Sequence, residues 1–127
     1  MTPLAYHPLN LALRLLLELA ALAALASYGW QLSEGRLMRL LGAAALPLIA
    51  ATLWGVFAVP DDPSRSGEAP VAVPGWIRLT LEFAIFGAAI WSLHASRAQT
   101  WSLAMGALVL AHYGISYDRV RWLLGLQ

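Results

Sequence analysis

The sequence contains no cysteine and no lysine. Without cysteine the chain has no disulfide, no thiolate metal ligand and no cysteine nucleophile. Charged residues of both signs are scarce, at 12% of the chain, whereas soluble domains average about 25%. The basic residues are all arginines and the formal net charge is +1, so no positive excess favours nucleic acid as a partner.

Long stretches of the chain also lack any polar residue. Residues 19–26 read Leu-Ala-Ala-Leu-Ala-Ala-Leu-Ala, and residues 41–51 are apolar throughout. A helix in a soluble bundle needs one polar face, which these stretches cannot provide. With 60% hydrophobic residues and a mean hydropathy of +0.65, the sequence predicts an integral membrane protein whose surroundings are the lipid bilayer.

Four apolar segments follow one another along the chain. They lie at about residues 11–30, 40–59, 75–95 and 101–117, and each is near the ~20 residues that span the hydrocarbon as a helix. The connections between the first two and the last two segments are short, whereas residues 60–74 form a long polar loop with several prolines. The sequence therefore predicts one membrane domain over residues 1–127, with an all-α integral membrane four-helix bundle as its fold.

A short pattern occurs in both the first and the third segment. Leu13-Arg14-Leu15-Leu16-Leu17-Glu18 returns 64 residues later as Ile77-Arg78-Leu79-Thr80-Leu81-Glu82. We therefore expect two helical-hairpin repeats, at about 9–59 and 75–121, joined by the 60–74 loop. Two hairpins of two spans each have the same orientation, so the repeats are parallel and their axis runs along the membrane normal.

This topology places both termini and the 60–74 loop on one side of the membrane. Arginines in the loops and tails are equally divided between the two sides, and Arg14 and Arg78 near their helix starts favour the side of the 60–74 loop. The positive-inside rule then predicts that the termini and this loop are cytoplasmic in the cell membrane.

The two Arg/Glu pairs are charges inside apolar segments. A charge at the centre of a membrane helix costs roughly 2.5–3.5 kcal/mol on insertion scales, so such residues normally face the bundle interior and pair. Arginine four residues before glutamate is the less favourable order for a pair within one helix. We therefore expect Arg14 to pair with Glu82, and Arg78 with Glu18, across neighbouring first and third helices.

Other polar residues fall in the same half of the predicted bundle as these charges. Thr52 and Trp54 end the second segment, and His112 and Ser116 end the fourth. They predict a polar basin open to the side of the 60–74 loop. The candidate residues for ligand binding, or for an intramembrane charge network, are Arg14, Glu18, Thr52, Trp54, Arg78, Glu82, His112 and Ser116.

Two functions of different classes are consistent with this pattern. In the first, the protein binds or carries a small polar or amphipathic ligand in the basin. In the second, it is a structural or accessory membrane subunit that packs against a protein partner or itself, and the Arg/Glu network is purely structural. The sequence has no Ser-His-Asp arrangement and no phosphate-binding glycine loop, so nothing supports catalysis. We expect no cofactor, and no metal site because His112 lacks carboxylates at ligand spacing.

Three stretches of the chain resemble a known family. They are Asn10-Leu11-Ala12-Leu13-Arg14-Leu15-Leu16-Leu17-Glu18, Trp54-Gly55-Val56-Phe57-Ala58-Val59-Pro60 and Arg78-Leu79-Thr80-Leu81-Glu82-Phe83-Ala84-Ile85-Phe86-Gly87. Over about residues 9–125 the chain resembles the YrdB-like family of small bacterial four-helix membrane proteins. That family has no assigned activity, so the resemblance supports the topology and implies no mechanism. The chain departs from the family pattern at Val59-Pro60, where Ala-Pro is usual.

Overall fold

The computed structural model describes residues 4–60, 62 and 69–125. Most of these residues are helical. The α-helices are α1 (Pro8–Gln31), α2 (Arg36–Val56), α3 (Gly75–Ala95), α4 (Gln99–Ile115) and α5 (Tyr117–Leu123). A 3-10 turn, Leu4–Tyr6, precedes α1, and two short strands, β1 (Phe57–Ala58) and β2 (Val71–Ala72), lie between α2 and α3.

Three of these helices are long and apolar enough to cross a membrane, namely α1, α2 and α3. They contain 24, 21 and 21 residues. At 1.5 Å per residue, a helix of 21 residues measures about 30 Å, which is the thickness of the hydrocarbon core. The structure thus confirms a mostly helical chain with helices suited to a membrane. α4 is shorter, with 17 residues.

The helix boundaries differ in places from those predicted. α1 begins at Pro8, because Nδ1 of His7 accepts a hydrogen bond from the backbone N–H of Leu9 and caps the helix. Proline suits this first helical position, because a backbone N–H there would have no hydrogen-bond partner within the helix. α2 begins at Arg36, continues through Pro47 and ends at Val56, where the chain enters β1.

α1 and α3 lie side by side at the centre of the molecule. α2 packs mainly on α1, and α4 packs on both α3 and α1, so the predicted adjacency of the first and third helices is confirmed. The largest core cluster joins α1, α3, α4 and α5 through small and large apolar side chains, including Leu17, Ala21, Phe86, Met105 and Leu123. α2 is the most exposed of the long helices, with Ala50 as its one buried residue.

The connection between α2 and α3 closes one end of the molecule together with α5. β1 and β2 are parallel, and Phe57 is paired with Val71. α5 packs so closely on the start of α3 that a side chain at Gly75 would overlap the backbone carbonyl of Leu123. The N-terminal 3-10 turn also contacts α5. We call this the closed end, comprising residues 4–7, 57–60, 62, 69–74 and 116–125.

The closest approach between α1 and α2 occurs at two glycines, and it generates the first prediction. A Cβ on either Gly29 or Gly42 would overlap the backbone carbonyl of the other residue. We expect Gly42→Ala to lower the free energy of unfolding by about 1–3 kcal/mol, because neither helix can yield locally. The measurement is thermal unfolding in detergent micelles. Gly87→Ala is the matched control, since its Cβ meets nothing within 4 Å. Equal stability of the two variants would contradict this contact.

Candidate functional site

The carboxylate of Glu82 is the centre of a buried ion cluster. It lies about two turns into α3 and its side chain is 0% exposed. Arg14 from α1 approaches it to 3.1 Å, Arg78 from the preceding turn to 2.8 Å, and Arg119 from α5 to 2.8 Å and 2.9 Å. The hydroxyl of Tyr113 from α4 donates to it at 2.6 Å. One carboxylate therefore connects α1, α3, α4 and α5.

Two further carboxylates balance the charge of the three arginines. Glu18 accepts a hydrogen bond from Nε of Arg14 at 3.1 Å. Asp62 accepts two from Arg119, at 2.7 Å from Nη2 and 3.3 Å from Nε. Among the residues that the structure describes, the cluster thus combines three cations with three anions. Balance matters here because an uncompensated buried charge destabilises a protein by several kcal/mol.

Arg119 links the ion cluster to the closed end. Burial disfavours its charged form, yet hydrogen bonds and the negative charges of Glu82 and Asp62 outweigh burial and raise the pKa of Arg119 above its ordinary value. The guanidinium is 2% exposed. It therefore remains charged and holds α5 and the α2–α3 connection onto α3.

Arg78 and Trp54 attach the end of α2 to the ion cluster. Nη1 of Arg78 donates to the backbone carbonyls of Trp54 and Phe57, which lie where a helix leaves its last carbonyls without helical partners. The indole of Trp54 lies 5.7 Å from Cζ of Arg14 and 5.4 Å from Cζ of Arg78. These distances are those of cation–π contacts. Trp54 is therefore part of the cluster.

A group of neutral polar residues lies near the cluster, centred on Asn10. Its side-chain nitrogen donates to Oγ of Ser116 at 2.7 Å and to the carbonyl of Ala5 at 3.1 Å. Its oxygen lies 3.0 Å from Nδ1 of His112 and must accept, so His112 carries its proton on Nδ1. Nε2 of His112 is buried, and within the described ranges no group hydrogen-bonds to it.

Seven of the eight candidate residues fall into these two groups. Five belong to the ion cluster and two, His112 and Ser116, to the group around Asn10. Thr52 does not, because its side chain is exposed and its hydroxyl donates to the carbonyl of Leu48 one turn earlier. The basin is not open as expected: Arg119 and Asp62 fill it, and both are buried. A role of these residues in ligand binding stays a prediction.

One of the two expected pairs across the helices is confirmed and the other is wrong. Arg14 does contact Glu82. Arg78, however, pairs with Glu82 in its own helix, and Glu18 pairs with Arg14. Placing arginine before glutamate within a helix changes the stability of an exposed pair by only tenths of a kcal/mol. This effect is smaller than the cost of leaving a buried charge unpaired.

Sequence reasoning missed Arg119, Asp62, Tyr113 and Asn10 as members of the site. Arg119 shares a helical face with His112 and Ser116 in the sequence pattern, which was the one available signal. Asn10 lies inside the first turn of α1. Tyr113 ends the fourth apolar segment together with His112 and Ser116, whereas Asp62 has no spacing that indicates a role, because it reaches Arg119 only after the chain has folded.

A cavity of about 210 Å³ lies beside the ion cluster, between α1, α2 and α3. Its walls are formed by Glu18, Ala21, Leu22, Ala51, Trp54, Gly55 and Ile85. Glu18 is the one charged residue among these, and its side chain is 27% exposed. Arg14 donates to Oε1, and no residue in the described part of the chain donates to Oε2. Glu18 is thus the one charged residue on an otherwise mostly apolar cavity wall.

The described residues offer little to a metal ion. In the ranges 4–60, 62 and 69–125, no group of three or more His, Asp or Glu side chains is placed to hold one. The arginines are matched by carboxylates, so the ion cluster has no guanidinium to spare for an anion. What the site can provide chemically is a hydrogen-bond acceptor with negative charge, at Glu18.

The unequal surroundings of Glu82 and Glu18 generate the second prediction. Glu82→Gln leaves Arg78 without its charged partner and removes one of the two carboxylates that Arg14 and Arg119 each contact, so we expect it to lower the free energy of unfolding by about 3–5 kcal/mol. Glu18→Gln, at a partly exposed carboxylate, should cost about 1 kcal/mol. Denaturation in detergent micelles measures both. A larger loss in Glu18→Gln than in Glu82→Gln would refute the central role of Glu82.

Comparison with known proteins agrees with the resemblance noted in the sequence. The model of a family described as "Protein of unknown function (DUF2568)" matches residues 12–110. The chain is 43% identical over 115 residues to the protein called "Uncharacterized protein YrdB" from Bacillus subtilis (strain 168), covering 91% of this chain and 93% of that protein. No solved structure matches. The resemblance to the YrdB-like family is therefore confirmed, and the chain belongs to the DUF2568 family.

Proposed function

We propose that this protein is a multi-pass membrane protein that binds a small amphipathic ligand in the cavity beside Glu18. One observation carries this proposal: Glu18, a partly exposed carboxylate to whose Oε2 no described residue donates, lines a mostly apolar cavity between apolar helices. Ionisable residues inside a membrane are expensive and usually mark functional sites. Apolar pockets with a few polar groups are the usual form of small-molecule sites.

The ion cluster serves this site as a scaffold. Arg14 holds Glu18 through Nε while its two terminal nitrogens contact Glu82. Arg78 attaches the end of α2, which carries Trp54 of the cavity wall. The cluster therefore sets the distances between the three helices that enclose the cavity.

We also propose that four helices cross the membrane as two parallel hairpins. The contact between Gly75 and Leu123 brings the chain after α4 back to the end where α3 begins, which supports a crossing by α4. The two Arg/Glu pairs have similar geometry, at 3.1 Å in α1 and 2.8 Å in α3, as a structural repeat would give. The closed end then faces the cytoplasm, according to the arginine distribution.

The third prediction tests this topology. Because the chain has no cysteine, single cysteines give unambiguous labels in Glu34→Cys, Pro70→Cys and Leu124→Cys. We expect an impermeant thiol reagent to label Glu34→Cys in intact cells, and the other two only in inside-out vesicles. Labelling of Leu124→Cys from the same side as Glu34→Cys would show that α4 does not cross.

The fourth prediction tests ligand binding directly. Ala51 lies at the exposed rim of the cavity, so Ala51→Phe should fill the cavity while leaving every charge in place. We expect native mass spectrometry from lipid nanodiscs to show a bound small molecule in the wild type that is lost in Ala51→Phe. Ala45→Phe, an exposed position on α2 outside the cavity, should keep it. The same spectrum for all three proteins would refute the proposal.

A structural or accessory subunit remains the second candidate function, because α2 exposes large apolar side chains along its length. Leu37, Leu41 and Leu48 are 68%, 53% and 64% exposed. In a membrane this face contacts either lipid or another helix, from a protein partner or a second copy. A purely structural ion cluster with no bound molecule in any variant would favour this alternative.

A further inference from the structure

We infer that the ligand is an amphipathic organic amine whose ammonium group donates a hydrogen bond to Oε2 of Glu18. This inference rests on the proposed function and adds the chemical class of the ligand. It follows from the charge that the cavity presents, the partners that each carboxylate of the cluster has, and the shape of the cavity wall.

The distribution of partners makes Glu18 the least compensated carboxylate of the ion cluster. Glu82 is contacted by three arginines and by Tyr113, and Asp62 has a two-point contact with Arg119. Glu18 has one arginine, which contacts it through a single nitrogen and shares its charge with Glu82. The least compensated carboxylate of the cluster is therefore also the one that lines the cavity.

An anionic ligand does not fit this arrangement. All three nitrogens of Arg14 already contact carboxylates. Arg78 and Arg119 are each 2% exposed and do not line the cavity. An anion would meet the charge of Glu18 with no available cation to bind it. A protonated amine instead supplies the donor that Oε2 lacks, and a charge-assisted hydrogen bond is the stronger kind.

The shape of the cavity indicates an apolar group next to the amine. Leu22, Ala51 and Ile85 line the walls beyond Glu18. The volume of about 210 Å³ is below the roughly 300–1,000 Å³ of pockets for drug-sized ligands. The cavity therefore holds the ammonium group and the first carbons.

The test compares three probes of equal chain length: n-octylamine, octan-1-ol and sodium octanoate. At pH 7 the amine is protonated, since alkylammonium groups have a pKa of about 10.4. Binding to the folded state raises Tm with probe concentration, measured here with full-length protein in lipid nanodiscs. We expect saturable stabilisation of the wild type by octylamine, and at least about tenfold weaker binding of octan-1-ol, which lacks the charge. Octanoate should not stabilise.

Matched variants assign the effect to the cavity and to Glu18. Glu18→Gln should bring the affinity for octylamine down to that for octan-1-ol, while Glu34→Gln, an exposed carboxylate in the α1–α2 turn, should behave as the wild type. Ala51→Phe should abolish binding of octylamine and Ala45→Phe should not. If Glu18→Gln fails to fold, Glu18→Asp retracts the carboxylate by one methylene and should weaken octylamine without affecting octan-1-ol.

The outcomes separate the inference from the proposed function. Equal effects of amine and alcohol, unchanged in Glu18→Gln but lost in Ala51→Phe, would overturn the amine assignment and leave the ligand site intact. Stabilisation by octanoate, or none by octylamine, would also overturn it. If no probe distinguishes Ala51→Phe from Ala45→Phe and no bound molecule is found in nanodiscs, both the inference and the proposed function fail.

Discussion

The cost of an unpaired charge away from water is the constraint on which the architecture depends. Glu82 lies within an apolar helix with its side chain 0% exposed, so it must be surrounded by positive groups and donors. It obtains them from α1, from its own helix, from α4 and from α5. Because each contact requires its helix to lie at a given depth and rotation, one carboxylate sets the register of most of the molecule.

The need to pair buried charges also explains the contacts between elements at the closed end. Arg119 is needed at Glu82, and its remaining donors then require Asp62, which brings the α2–α3 connection over α3. Short parallel strands and the close contact at Gly75 complete this arrangement. The sequence suggested an open basin at this end. The structure instead has buried ion pairs between Arg119, Asp62 and Glu82 there, and the partly exposed carboxylate of the cluster is that of Glu18.

The two copies of the Arg/Glu sequence pattern, at residues 13–18 and 77–82, have different surroundings in the structure. Both Arg/Glu pairs form within their helices, yet the second copy lies at the centre of the ion cluster and the first at its edge. The first copy thereby keeps a carboxylate oxygen for a cavity between α1, α2 and α3. The two copies of this sequence pattern therefore have different surroundings: the second is enclosed by the ion cluster, and the first borders the cavity.

The four long helices, their suitability for a membrane, the adjacency of α1 and α3, and most members of the ion cluster could be predicted from the amino-acid sequence. Apolar runs of span length and charges inside them are local features, and their energetic cost is readable from composition. Tertiary structure alone decided that Arg78 pairs within its helix, that Arg119 and Asp62 fill the basin, and that Thr52 points away. These contacts depend on how Asp62 and α5 are placed against α3. Because such hydrogen-bond partners are far apart in the sequence, they produce no periodic pattern along the chain.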